Sequence, residues 1–169
     1  MSNIVPADNV QGYFHTAFTQ AMQKTHLNIS QEAQVYVVHL LSAFARCEQA
    51  YAGVEYQEQP AIALLLQRAQ EADAPEALRI FKHAGDCCLY TAGLFEKSLI
   101  RRGLTRTYYI SMGGSAYSHL SALLSQKMSS TAGLYEQLSQ QFLQLVQALE
   151  LLSHEAALTP LIDPRKNAV

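Results

Sequence analysis

The sequence predicts an all-α fold, a single-domain bundle of six or seven helices. Three observations carry that expectation. Apolar residues recur at spacings of three and four through most of the 169 residues, the period of a helix with one buried face. The chain is 49% hydrophobic and only 15% charged, enough to build a core and too apolar for a disordered segment. No pair of alternating runs suggests strands, and no repeat, low-complexity stretch or linker divides the chain. One domain is therefore expected over residues 1–160. Pro160 and the polar "DPRKNAV" predict a frayed tail over 161–169.

The elements follow in order. Asp8 is a candidate N-cap for a first helix that places Val10, Phe14, Phe18 and Ala21 on one face, with Met22 at its edge. "THLNIS" interrupts it, and Asn28 or Ser30 can cap the second helix. There Val37, Leu40, Leu41, Phe44, Cys47 and Tyr51 form the stripe, and Gly53 is a natural stop. Pro60 suits the first turn of a third helix. Asp73, Pro75 and Glu76 make a capping-box-like start for a fourth, whose apolar face is Leu78, Phe81, Ala84, Gly85, Cys88 and Leu89, ending near Gly93. "LFEKSLIRRG" reads as a short helix closed by Gly103. Thr105 or Thr107 can cap the next. The last helix is expected to run unbroken from Thr131, with Leu134, Leu138, Phe142, Leu145, Leu149, Leu152 and Ala156 in phase.

"YYISMGGSAYSHL", residues 108–120, contains the one apparent conflict. Each glycine inside a helix costs about 1 kcal/mol relative to alanine, yet Gly113 and Gly114 stand together. Tyr109, Met112, Ala116, Leu120 and Leu123 fall within about 80° of arc on an unbroken helix, so one continuous helix is expected. Gly113 then lies at the edge of the apolar face. Gly114 lies near the opposite side, with Ser111, Ser118 and Ser121. So little side-chain volume lets another helix or a flat ligand approach the backbone. Close helix packing is the reading favoured, and a ligand-facing backbone is the alternative.

Two stretches, "HAGDCCLYTAGLFEKSLIRR" and "YYISMGGSAYSHL", resemble a family of bacterial all-helical proteins. Its pattern is Gly-Asp, then Leu-Tyr/Phe-x-x-Gly-Leu/Phe-Phe, then Tyr-Tyr-Ile-x-Met-Gly-x-x-Ala-Tyr. The resemblance extends over Val10–Ser153, and its specificity rests on Gly85–Tyr117. It implies a helical domain; it brings no assigned reaction and no catalytic residue to carry over.

The net charge of −2 exerts no general pull on nucleic acid or anionic membrane. The three cysteines, Cys47, Cys87 and Cys88, have no zinc-site spacing, and their low odd count suits a reducing compartment. No signal peptide and no apolar run of about 18 residues is apparent, so the expected location is the cytoplasm.

Candidate chemistry is sparse. Six histidines are present, without an HExxH motif or the paired Glu-x-x-His of carboxylate-bridged bundles. His119 is the best single candidate. Glu150 and His154, four apart, could share a ligand, but two donors do not make a site; no metal residue is assigned and no cofactor is expected. His83 and Asp86 form a candidate polar pair beside Arg79 and Tyr90, more simply read as a solvated face or a bridge to another helix. Lys82 and Asp86 would make a surface ion pair. No GxSxG or phosphate-loop spacing occurs. The most pointed feature is Lys97, Arg101, Arg102 and Arg106, clustered before a helix start where unpaired N–H groups favour an anion. With Ser111, Gly114 and Ser118 they are the candidate ligand-binding residues.

The leading expectation is a non-catalytic helical binding or interaction protein, with Leu143 and Leu151 available for a homodimer contact. The alternative is a small anionic-ligand-binding protein or enzyme at the Arg101–Arg106 turn and Gly114. A metal or haem protein is the third reading. The partners expected are a second copy of the chain or a small anion, with no nucleic acid and no membrane.

Overall fold

The computed structural model describes residues 7–50, 62–101 and 103–155, which hold eight α-helices and no strand. These are α1 (Ala7–Thr25), α2 (Gln31–Ala50), α3 (Ile62–Glu71), α4 (Ala74–Leu94), α5 (Glu96–Arg101), α6 (Arg106–Gln126), α7 (Ala132–Gln140) and α8 (Phe142–His154). The all-α bundle is as the periodicity requires. No helix among the described residues is long and apolar enough to cross a membrane. The expectations at Tyr51, Gly53, Pro60, Arg102, Ala156 and 161–169, and for the Cys47 side chain, lie outside the described residues.

The helix starts follow from capping chemistry. Ser30, rather than Asn28, caps α2: its Oγ accepts from the Ala33 N–H at 3.1 Å. Asp73 caps α4, accepting from the Glu76 N–H at 3.1 Å, with proline in the first turn. Thr105 is the N-cap residue of α6, without a side-chain cap bond. The first helix departs from expectation, since it is already under way at Ala7 and Asp8 lies inside it.

Three helices end in the same way. After α1, α5 and α6 the chain enters the left-handed region at His26 (φ 55°), Gly103 (φ 69°) and Met128 (φ 54°). At each, the next residue's N–H reaches back five positions: Leu27 to Met22, Leu104 to Leu99 and Ser129 to Leu124. This double-bonded stop satisfies carbonyls that would otherwise be orphaned. Only Gly103 announces itself by residue type.

α4 lies at the centre, packed against α3, α6 and α8. It can because its inward surface is small: Ala77, Ala84, Gly85, Cys88, Ala92 and Gly93 are all buried. Large side chains from its neighbours fill the space. A Cβ on Gly85 would stand 2.5 Å from the Tyr117 ring, and one on Gly93 2.5 Å from Leu149 Cβ.

α6 runs unbroken through Gly113–Gly114. A Cβ on Gly113 would lie 2.7 Å from Cys88 Cβ and 2.8 Å from Phe142 Cε2, so this glycine exists to let α4 and Phe142 approach. Close packing accounts for the residue.

The last helix is not one rod. It breaks at Gln141 (φ −100°, ψ 14°) into α7 and α8. The leucine stripe stays buried on both sides, from Leu134 and Leu138 through Phe142, Leu145, Leu149 and Leu152, but it faces different partners. α7 lies on α6, while α8 lies on α4 and α1. Phe142, at the bend, is 2% exposed and fills the space over Gly113. Periodicity reports which face is buried and is silent on which helix buries it, so the bend was invisible to it.

Candidate functional site

The structure gathers two polar clusters. The first surrounds Asp86, a buried acid in the middle of α4. Tyr36 from α2 donates to Asp86 Oδ1 at 2.5 Å, and Tyr117 from α6 donates to the same oxygen at 2.6 Å. Lys82, one turn earlier on α4, holds Oδ2 at 2.8 Å. Its ammonium also lies 5.3 Å from the centre of the Tyr36 ring, a cation–π arrangement. Tyr135 of α7 completes the group, edge-on to Tyr36 at 5.5 Å.

Burial decides the charge states here. Burial, then the Asp86 charge, raises the Tyr117 hydroxyl well above its ordinary value, and Tyr36 is raised for the same reasons. Both therefore stay neutral and act as donors. Burial works against the Lys82 ammonium, but its hydrogen bond to Asp86 and that acid's charge outweigh it and raise its pKa. One carboxylate thus accepts from three donors carried by three helices. A buried charge satisfied in this way pins α2, α4 and α6 in one relative register.

His83 does not join Asp86. Its ring lies against Cys87, with Nε2 3.5 Å from Sγ. Burial raises the Cys87 thiol, and burial pushes Cys88 up to about 12, so neither offers a ready thiolate. His119 stacks on Phe81 at 5.1 Å and 12° between planes, with Nδ1 2.8 Å from the Ser115 carbonyl oxygen.

The second cluster forms where α5, α6 and α8 meet. Arg106, the first residue of α6, pairs with Glu150 Oε2 at 2.7 Å and with Glu96 Oε1 at 3.5 Å. His154 Nε2 lies 3.8 Å from Glu150 Oε1. Burial alone would raise the Glu150 carboxyl, but its bonds with Glu96 and Arg106 bring it below the usual range. Arg106 Nε is buried and has no hydrogen-bond partner.

The candidate anion ligands are dispersed. Lys97 and Arg101 are exposed, and Arg101 Nε donates to the Lys97 carbonyl at 3.4 Å. Arg106 is committed to two acids. Ser111 and Ser118 are exposed on α6. Gly114 lies about 12 Å along the helix from Arg106, and its carbonyl accepts from Ser139 Oγ of α7 at 2.8 Å. Ser121 likewise donates to the Ala132 carbonyl. Gly114 and Ser121 thus face α7, while Ser111 and Ser118 on the same flank stay exposed.

The tyrosines that engage Asp86 were not singled out from the sequence as polar partners. They sit 50 and 31 residues away from it, and no local spacing links them. The one available signal was the Lys82–Asp86 pair, which reads on a wheel as a surface contact. Residues 83–102 and 108–120, both singled out in the sequence, meet here through Gly85, Asp86 and Tyr117. Glu96 was not singled out from the sequence, although it shares Arg106 with Glu150. No protein-family model, curated protein or solved structure matches the chain.

Proposed function

We propose that the chain is a non-catalytic helical interaction protein that meets its partner at the N-terminal end of α6. One observation carries this reading. Ile100 is 67% exposed and Leu104 41% exposed, on either side of the Gly103 turn and in the same stretch as the exposed Lys97 and Arg101. Leu64, 54% exposed, belongs to the same end, because the preceding Ala63 N–H is held by the Tyr108 hydroxyl on the first turn of α6. Uncovered apolar side chains beside cations suit a partner surface that is apolar and acidic. The buried polar groups of the Asp86 cluster answer one another, which suits a scaffold better than a reaction centre.

The test is Ile100→Asp with Leu104→Ser, changes at exposed positions that leave the core intact. Binding partners are captured on immobilised wild type and on the variant, with far-UV circular dichroism as the control on folding. A partner held by the wild type and lost by the folded variant supports the reading. Equal capture by both refutes the assigned surface. Light scattering tests the homodimer form of the reading, in which the exposed Leu143 of α8 contributes to the contact. A monomer at high concentration removes it. The small-anion alternative rests on Lys97 and Arg101, because an anion would have to compete with Glu96 and Glu150 for Arg106.

A further inference from the structure

Glu150 and His154 are four apart on α8, a spacing that sets two donors on one helix face. Two donors alone hold no metal well. The fold brings a third from α5: one ligand atom each from Glu96, Glu150 and His154 lie within 4.8 Å of one another. The two carboxylates face each other across the cluster with a single guanidinium between them. Like charges brought this close call for a proton or a cation.

The division of oxygens matters. Arg106 takes Oε2 of Glu150, and Oε1 is the oxygen turned toward His154. An arginine that holds the outer oxygen of a ligating carboxylate aims the inner one, the common second layer of a metal site. His154 and Glu96 are both partly exposed, so an ion can reach them. Donors on a tetrahedral ion with bonds of about 2.0–2.1 Å sit roughly 3.3 Å apart. Glu150 Oε1 and His154 Nε2 are already 3.8 Å apart, and the half-exposed His154 side chain is free to close the remainder.

We propose that Glu96, Glu150 and His154 form a binding site for a divalent first-row transition-metal ion, with Arg106 positioning Glu150. An imidazole with two carboxylates favours zinc or its neighbours over magnesium or calcium, which prefer all-oxygen sites. Three protein donors leave at least one coordination position for water or an exogenous anion.

The experiment uses the full chain after chelation and dialysis. Zn2+ is titrated by calorimetry, and Co2+ by its visible absorption, which reports coordination number. The expected result is one ion per chain, a Co2+ spectrum of low coordination number, and no comparable heat with Mg2+. Affinity falls at least about tenfold in His154→Gln and in Glu96→Gln. His154 is exposed at the end of α8, so its replacement leaves the fold intact. Glu96→Gln could loosen Arg106, so its circular dichroism is recorded alongside. No saturable Zn2+ binding up to millimolar concentration overturns the proposal. So does binding whose affinity is unchanged in His154→Gln, which would place the ion on other histidines.

Discussion

Gly113→Ala and Gly114→Ala should change stability in opposite directions, although the two residues are neighbours in one helix. Alanine at either position gains about 1 kcal/mol of helix propensity. At Gly114 the new Cβ meets Phe142 Cβ and the Ser139 carbonyl oxygen at 3.8 Å, ordinary contact distance, so most of that gain is kept. At Gly113 it falls 2.7 Å from Cys88 Cβ and 2.8 Å from Phe142 Cε2, and closer still to Phe142 Cζ. Neither neighbour can retreat cheaply. Cys88 Cβ is fixed to the backbone of α4, and Phe142 is 2% exposed at the bend between α7 and α8. Overpacking of this kind costs about 1–3 kcal/mol, occasionally more, and an overlap on two sides belongs at the upper end. The net expectation is a loss of about 2 kcal/mol for Gly113→Ala and a gain of about 0.5–1 kcal/mol for Gly114→Ala. Urea unfolding followed by circular dichroism measures both, with the slope checked for constancy. Gly113→Ala as stable as wild type would refute the packing account. Equal losses at the two positions would show instead that the helix tolerates no Cβ there.

Other perturbations test the buried cluster and the helix stops. Asp86→Ala leaves the Tyr117 hydroxyl and the Lys82 ammonium without their acceptor and should cost about 3–5 kcal/mol. Tyr117→Phe alone should cost about 1–3 kcal/mol, but little in an Asp86→Ala background, a coupling that a double-mutant cycle reads directly. At alkaline pH the unfolded chain releases tyrosine protons near the ordinary value of 10.0 while Tyr36 and Tyr117 in the fold keep theirs. The folded state then binds more protons, so stability falls above pH 10 by about 1.4 kcal/mol per pH unit for each tyrosine. Lys82, whose pKa is raised in the fold, adds stability that is complete below its ordinary value and lost as the pH rises through the folded one. Phenolate absorbance should show these tyrosines ionising only together with the loss of helical signal; ionisation of all nine tyrosines near pH 10 in a folded chain would contradict the cluster. Met128→Gly should stabilise by about 0.5–1 kcal/mol in thermal unfolding, since it relieves a left-handed non-glycine residue whose side chain is 94% exposed.

The period of apolar residues and the capping residues were legible because they are local. Ser30, Asp73 and Gly103 each act within a turn of their own position, and one buried stripe fixes a helix whatever it packs against. The first interruption was legible in "THLNIS", and histidine tolerates the left-handed region better than most residues, but the stop at Met128 was not, because methionine does not favour that region and the chain around it holds it there.

From its own residues the chain determines that it is helical, where helices such as α2, α4 and α6 start and which faces turn inward, because those depend on neighbours three or four positions away. Only the tertiary structure decided that the last stripe would bend at Gln141, that Gly113 would make room for Phe142, and that Asp86 would find Tyr36 and Tyr117. It also decided that Arg106 would meet Glu96 and Glu150, so that a cationic turn became a mixed cluster. Such contacts join residues tens of positions apart, and nothing in the local pattern encodes which of many apolar or charged faces will meet.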